Sequence, residues 1–174
     1  MKNTLIALIT LTTIIASVNA RGEDVVKKAS VKVVKKAPQK ALGEIVEVTL
    51  TADKIQFVYD IKEFTVKPGQ KVKLTLVNPE ESVTRQPHNV LIVKPGTKDT
   101  VGMAANLGLS DPEFLTTKNA IPESEDILFA SSLVQPGAEE TIEFDAPDEP
   151  GDYPYICTYP GHWAIMNGVM KVVP

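Results

Sequence analysis

The run Cys157-Thr158-Tyr159-Pro160-Gly161-His162-Trp163-Ala164-Ile165-Met166 holds the chain's single cysteine and spaces a thiol, an imidazole and a thioether at relative positions 0, 5 and 9. The one other histidine, His88, stands far upstream in Gln86-Pro87-His88-Asn89-Val90. One thiolate, two imidazoles and a weak axial thioether are the donor set of a mononuclear blue-copper electron-transfer centre. A trigonal plane of thiolate and two imidazoles suits both Cu(I) and Cu(II), so an electron comes and goes with little movement of the ligands. Taken singly, each residue has a plainer account: a free cysteine is commonly a small buried hydrophobe, and a lone Met or His is commonly packing. The joint pattern of His88, Cys157, His162 and Met166 is what points to copper. Zinc is the rival ion, but it favours closed tetrahedra of nitrogen and thiolate, in which a thioether is a poor partner.

Three of these donors must come from one loop, and the fold must bring in the fourth. Tyr153–Cys157 reads as a strand with Cys157 at its C-terminal end, and Gly168 opens the next strand, so a hairpin tip carries Cys157, His162 and Met166. Pro160 and Gly161 turn and stiffen that tip. His88 is expected to arrive on a strand running from His88 to Val93. Asn89, beside it, is placed to hydrogen-bond across to the Cys157–Thr158 region, and backbone N–H groups around Tyr159 are candidate donors to the sulfur; Pro160 has none to give.

The remaining chain has the rhythm of short strands punctuated by Pro and Gly. Glu44–Leu50 alternates, with Ile45 suited to a half-buried strand; Phe64–Val66 leads into the turn Lys67-Pro68-Gly69-Gln70. Lys71–Val77 sets Val72, Leu74 and Leu76 against Lys71, Lys73 and Thr75, a half-buried strand pattern. Val101–Leu109 favours a short helix, and Asp111-Pro112-Glu113 resembles an N-cap followed by Pro at the first helical position. Ile127–Val134, Thr141–Phe144 and Gly168–Val173 resume strands. The expected fold is all-β: an antiparallel sandwich of short strands with a short helical insert.

Residues 1–20 read as a secretory signal peptide: Lys2, an apolar run from Leu5 to Val18, and small residues before a cut after Ala20. The alternative is an uncleaved anchor, although the run falls short of the roughly 20 apolar residues that span a bilayer. Export makes an unpaired cysteine need a reason, which a metal supplies. Residues 21–41 read as a basic linker: Arg21 to Lys40 holds seven basic residues against two acidic, whereas residues 41–174 hold ten against twenty. Such arms are usually solvated spacers, and weak contact with an anionic surface is the functional alternative. No aromatics accompany the lysines, so nucleic acid is not an expected partner. The domain proper is residues 42–174.

At His88-Asn89-Val90, Val101-Gly102-Met103-Ala104, Thr141-Ile142-Glu143-Phe144-Asp145, Cys157-Thr158-Tyr159-Pro160-Gly161-His162 and Met166-Asn167-Gly168 the sequence resembles the cupredoxins, and among them the azurin and auracyanin group. The resemblance implies a cupredoxin-like Greek-key β-sandwich of about eight strands with a helical flap, and one type 1 copper, with His88, Cys157 and His162 equatorial and Met166 axial. Azurins have a glycine whose carbonyl approaches copper where this chain has Pro87, and they carry a disulfide that a chain with one cysteine lacks. The Pro87 carbonyl is therefore a candidate for a weak contact, and auracyanins are the nearer comparison. The expected function is one-electron transfer, not an enzyme activity, by an exported periplasmic or extracellular monomer, membrane-associated if the leader stays uncleaved. Transient redox partners such as cytochromes would dock near an exposed edge of His162, beside Pro160 and Trp163. The alternatives are a copper-delivery or storage protein and, further off, an accessory domain of a copper oxidoreductase.

Overall fold

Among the described residues, eight strands and one helix follow one another as β1 (Val46–Thr51), β2 (Glu63–Val66), β3 (Lys71–Asn78), β4 (Leu91–Val93), α1 (Lys98–Gly108), β5 (Ile127–Ala130), β6 (Ala138–Asp145), β7 (Gly151–Ile156) and β8 (Asn167–Val172). The computed structural model describes residues 44–174; the expected leader, 1–20, and basic arm, 21–41, lie outside them. The strands form two sheets, β1-β3-β6 and β2-β8-β7-β4-β5. The all-β fold with a short helical insert is as the sequence led us to expect.

The sheets are mixed rather than wholly antiparallel. β1 runs parallel to β3 and β2 parallel to β8, while the other pairings are antiparallel. The cause is the chain's path: β1 and β3 belong to one sheet and β2 between them to the other, so the chain returns to the first sheet in its starting direction. The pleat of β1 also differs from expectation. Val48 and Leu50 are buried and Ile45, just before the strand, is 54% exposed. A one-residue change of register inverts a strand's faces, and pairing of Val46 with Val72 and Leu50 with Leu76 sets this one.

The two inner faces meet in a core of Leu50, Leu74, Leu76, Val66, Ile92, Tyr155, Met170 and Val172. β7 and β8 pair from Gly151↔Val172 to Ile156↔Asn167, so the connecting segment leaves the sheet at Cys157 and returns at Asn167. Tyr155 sits opposite Gly168, and its hydroxyl donates to the Ile61 carbonyl at 2.6 Å, tying β7 to the loop before β2. Three expected elements fall short of the sequence pattern: β5 ends at Ala130 rather than Val134, because Val134 is taken up in an isolated bridge. β4 begins only at Leu91, and His88 joins by an isolated bridge to Val134. Asp111 does cap its neighbour, accepting from the Glu113 N–H at 2.9 Å, but turns rather than a helix follow. That run is closed by Ala120 N–H donating to the Phe114 carbonyl, and by left-handed backbone at Asn119 and Ala120, which no helix accommodates.

A methyl group on Gly168 would lie 2.2 Å from the Tyr155 ring, which is fully buried and held by its hydroxyl. Gly168→Ala is therefore expected to lower stability by about 1–3 kcal/mol, the usual cost of overpacking a tight core. Urea unfolding monitored by circular dichroism checks this, and a midpoint equal to that of the parent would contradict the packing described.

Candidate metal centre

Cys157, His88 and His162 converge at one end of the sandwich, their ligand atoms all within 4.8 Å of one another. The sulfur lies 3.8 Å from Nδ1 of His88 and 3.6 Å from Nδ1 of His162. Metal–nitrogen and metal–sulfur bonds of about 2.0 and 2.3 Å set in a trigonal plane would separate N from S by about 3.7 Å. The donor set thus fits one first-row ion held by a thiolate and two Nδ1 atoms. Cys157 and Met166 are inaccessible to solvent, and His88 and His162 are only 1% and 3% exposed.

The loop geometry follows from Pro160 and Gly161. His162 N–H donates to the Tyr159 carbonyl at 3.0 Å, and Gly161 has φ of 81°. Pro at the second position and a positive-φ glycine at the third are the requirements of a type II turn. The loop then closes on itself: Met166 N–H donates to the His162 carbonyl at 2.7 Å, and Cys157 N–H to the Met166 carbonyl at 3.0 Å. Three of the four expected ligands are thereby linked through backbone alone. Met166 is buried in the same apolar cluster as Cys157.

His88 is delivered by a different device. Its N–H donates to the Val134 carbonyl at 3.1 Å and its carbonyl accepts from Val134 N–H at 2.7 Å. Asn89 then fastens this segment to the loop. Its Oδ1 accepts from Thr158 N–H at 2.8 Å, and its Nδ2 donates to Thr158 Oγ1 at 2.9 Å and to the Asn119 carbonyl at 2.8 Å. Below it, the Tyr59 hydroxyl donates to the Asn89 carbonyl at 2.5 Å.

Burial pushes the Cys157 thiol up to about 12, against backbone N–H groups of Asn89 and Tyr159, which favour the thiolate. Without metal the sulfur keeps its proton at neutral pH and is shielded from oxidation. Burial pulls both imidazoles down to about 4, with the neighbouring His162 adding to the effect at His88. Both rings are therefore neutral, as metal ligation requires.

One expectation fails here. The outer edge of His162 is not exposed: Phe57 stacks on the ring with centroids 4.1 Å apart, and Gln86 Oε1 lies 2.8 Å from Nε2. Trp163 is half-buried. It packs flat on Gly102 of α1, where a Cβ would come within 2.2 Å of it, with Lys98 Nζ 5.1 Å from its ring centroid. Phe57, Tyr59 and Gln86 are site residues that sequence reasoning missed. Gln86 lay within the segment that drew attention to His88, but no spacing rule marks it, and Phe57 and Tyr59 sit in a loop with no motif.

A neutral folded histidine with a pKa near 4 and an unfolded value near 6.5 leaves the unfolded chain with more bound protons between those pH values. Stability rises with pH wherever that is so. The metal-free protein is therefore expected to be at full stability above about pH 6.5 and to lose it as the pH falls toward 4. Urea midpoints across this range check the sign; a flat profile would contradict neutral buried imidazoles.

Residues 46–173 match the family of copper-binding proteins typified by plastocyanin and azurin. Auracyanin-A of Chloroflexus aurantiacus is 36% identical over 119 residues, 67% of this chain and 68% of that protein. Dithionite-reduced auracyanin of Roseiflexus castenholzii, a solved structure, is 37% identical with a TM-score of 0.63, over 74% of this chain and 98% of the other. The structure of auracyanin A from Chloroflexus aurantiacus, a "blue" copper protein, is 30% identical with a TM-score of 0.64, over 75% of this chain and all of that one (100%). With a buried Cys and two His gathered at ligand distances, a matching fold and these relatives, the chain belongs to the plastocyanin/azurin family of copper-binding proteins.

Proposed function

We propose that the protein is an exported one-electron carrier built on a type 1 copper centre. His88, Cys157 and His162 would form the equatorial plane, Met166 would sit on the axis, and the Pro87 carbonyl is the candidate for a weak contact opposite it. The observation that carries this reading is the solvent-excluded triangle of one sulfur and two Nδ1 atoms at 3.6 and 3.8 Å. Copper, when bound there, supplies a one-electron couple whose two oxidation states tolerate the same ligand plane.

The residues supply what such a couple needs. Cys157 gives up its proton on metal binding, and the N–H groups of Asn89 and Tyr159 stabilise the sulfur's charge afterwards. The loop's internal hydrogen bonds and its attachment to Asn89 hold the donors in place before metal arrives, which keeps rearrangement on electron transfer small. That rigidity favours a carrier over a delivery or storage protein, which must open to release its metal. Both histidines of the chain lie in the one site, leaving none for a second, catalytic metal.

Redox proteins, cytochromes among them, are the proposed partners, meeting the protein briefly as a monomer. Met103 and Leu107 of α1 and Ile165 of the ligand loop are exposed by 55%, 77% and 55%. α1 and the loop touch through Asn106 Oδ1, which accepts from Gly161 N–H at 3.4 Å. Apolar residues at the mouth of a site suit such short-lived docking. Export rests on the leader read in residues 1–20, followed by the basic arm 21–41 and the copper domain 42–174. Among the described residues no helix is long and apolar enough to cross a membrane.

Copper-loaded protein is expected to show an intense visible thiolate-to-copper absorption that disappears in Cys157→Ser; a colourless Cu(II) complex of the parent would remove the type 1 reading. Met166→Leu is expected to keep the colour and raise the reduction potential, because the lost thioether is the donor that favours the oxidised ion. Potentiometry decides this, and an unchanged or lower potential would count against Met166 as the axial ligand.

A further inference from the structure

We propose that Gln86 is a positioning residue for His162: its amide oxygen fixes the imidazole proton on Nε2, turns the Nδ1 lone pair into the metal site, and closes the ring's outer edge. The inference rests on the copper reading above and deepens it. A neutral imidazole has one N–H and one lone pair, and the partner of the first decides where the second points. Nδ1 of His162 faces the Cys157 sulfur at 3.6 Å, and Nε2 meets Gln86 Oε1 at 2.8 Å. An amide oxygen can only accept, so the Nε2–H form is selected. The reversed amide would put the proton on Nδ1, between the ring and the sulfur. Phe57 stacked on the ring face, 4.1 Å between centroids and 21° between planes, blocks rotation of the ring away from this bond.

The segment bearing Gln86 is itself held at a cost. Arg85, just before it, has a φ of 47°, in the left-handed region that a residue with a Cβ enters at a penalty of roughly 1–2 kcal/mol. Pro87, just after it, confines Gln86 to extended backbone. Asn78, fully buried at the end of β3, donates from Nδ2 to the Gln86 carbonyl and to the Val134 carbonyl, both at 2.9 Å. Turning both amide protons that way leaves its Oδ1 without a hydrogen-bond partner. A buried orphan acceptor costs about 1–3 kcal/mol, and strain of this kind accumulates where a side chain must be aimed. The same Val134 carbonyl accepts from His88 N–H. One asparagine thus sets the Gln86 segment and Val134, the bridge partner of His88, in a single register.

Outer partners of metal-bound histidines are typically worth 10- to 100-fold in metal affinity. In the full-length copper-loaded protein, Gln86→Leu is expected to weaken copper binding about 10-fold or more, measured by chelator competition, and to alter the visible and paramagnetic spectra. Gln86→Glu keeps an acceptor at the same reach, so it is expected to retain the parent's affinity while its added negative charge lowers the reduction potential. Parental affinity and spectra in Gln86→Leu would overturn the proposal, as would an equal loss of affinity in both variants. If Gln86→Leu does not fold, the Gln86→Glu arm decides by itself, with a parental potential and a weakened site as the overturning result. Failure of the parent to form a coloured copper complex would instead sink the type 1 reading, so the two failures are told apart.

Discussion

The centre depends on a buried amide, Asn89, that joins chain segments remote in sequence. Its side chain bonds Thr158 and Asn119, and its carbonyl accepts from Tyr59. Neither His88 nor the 157–166 loop is fixed relative to the other by sheet pairing, since β4 starts at Leu91 and β7 ends at Ile156. The amide supplies the missing link just beyond both strand ends. A buried polar group is costly unless all its valences are met, so the same bonds that satisfy Asn89 also permit only one relative placement of its neighbours. The distance between the His88 imidazole and the Cys157 sulfur is a consequence of that placement.

This arrangement explains how a thiol can be both hidden and ready. Burial alone would leave Cys157 a protonated, inert side chain, as its pKa near 12 indicates. The backbone N–H groups of Asn89 and Tyr159 act the other way and favour the thiolate. Metal binding therefore completes a set of interactions that the fold has half built. The imidazoles contribute in the opposite sense: burial removes their charge beforehand, so they carry no proton that a metal would have to displace at neutral pH.

The converging His88, Cys157 and His162 and the general architecture were legible in the sequence because each leaves a local trace. Cys157, His162 and Met166 lie within one turn-containing loop, and the Val72-Leu74-Leu76 alternation exposes its period directly. Asn89 was legible for the same reason, as the neighbour of a ligand histidine. The parallel pairings were not, because strand direction depends on which sheet the chain enters after β1 and no local pattern carries that. The length of β4 was overread because Val90, Leu91 and Ile92 continue an apolar run through a residue, Val90, whose N–H goes to the Ser131 hydroxyl instead of a neighbouring strand. The covering of His162 was illegible for a related reason. Phe57 and Gln86 come within reach of the ring only through long-range folding, across 105 and 76 positions of chain.

Where the chain tolerates unfavourable backbone is itself informative. Among the described residues, the non-glycine positions with positive φ are Arg85, Asn119 and Ala120. Arg85 precedes the glutamine that meets His162, and the Asn119 carbonyl accepts from Asn89, so two of these positions border the residues that hold the ligands. Asn119 also accepts from Leu133 N–H through its side chain, which brings the long excursion between α1 and β5 back beside Val134, the bridge partner of His88. Strain persists only when the surrounding structure over-determines it, and here the over-determination comes from both sheets at once: Asn78 from one and the β4–β5 edge from the other. The sandwich's core could be built without any of these features. They make sense as the cost of bringing two imidazoles and a sulfur to fixed separations before any ion is present.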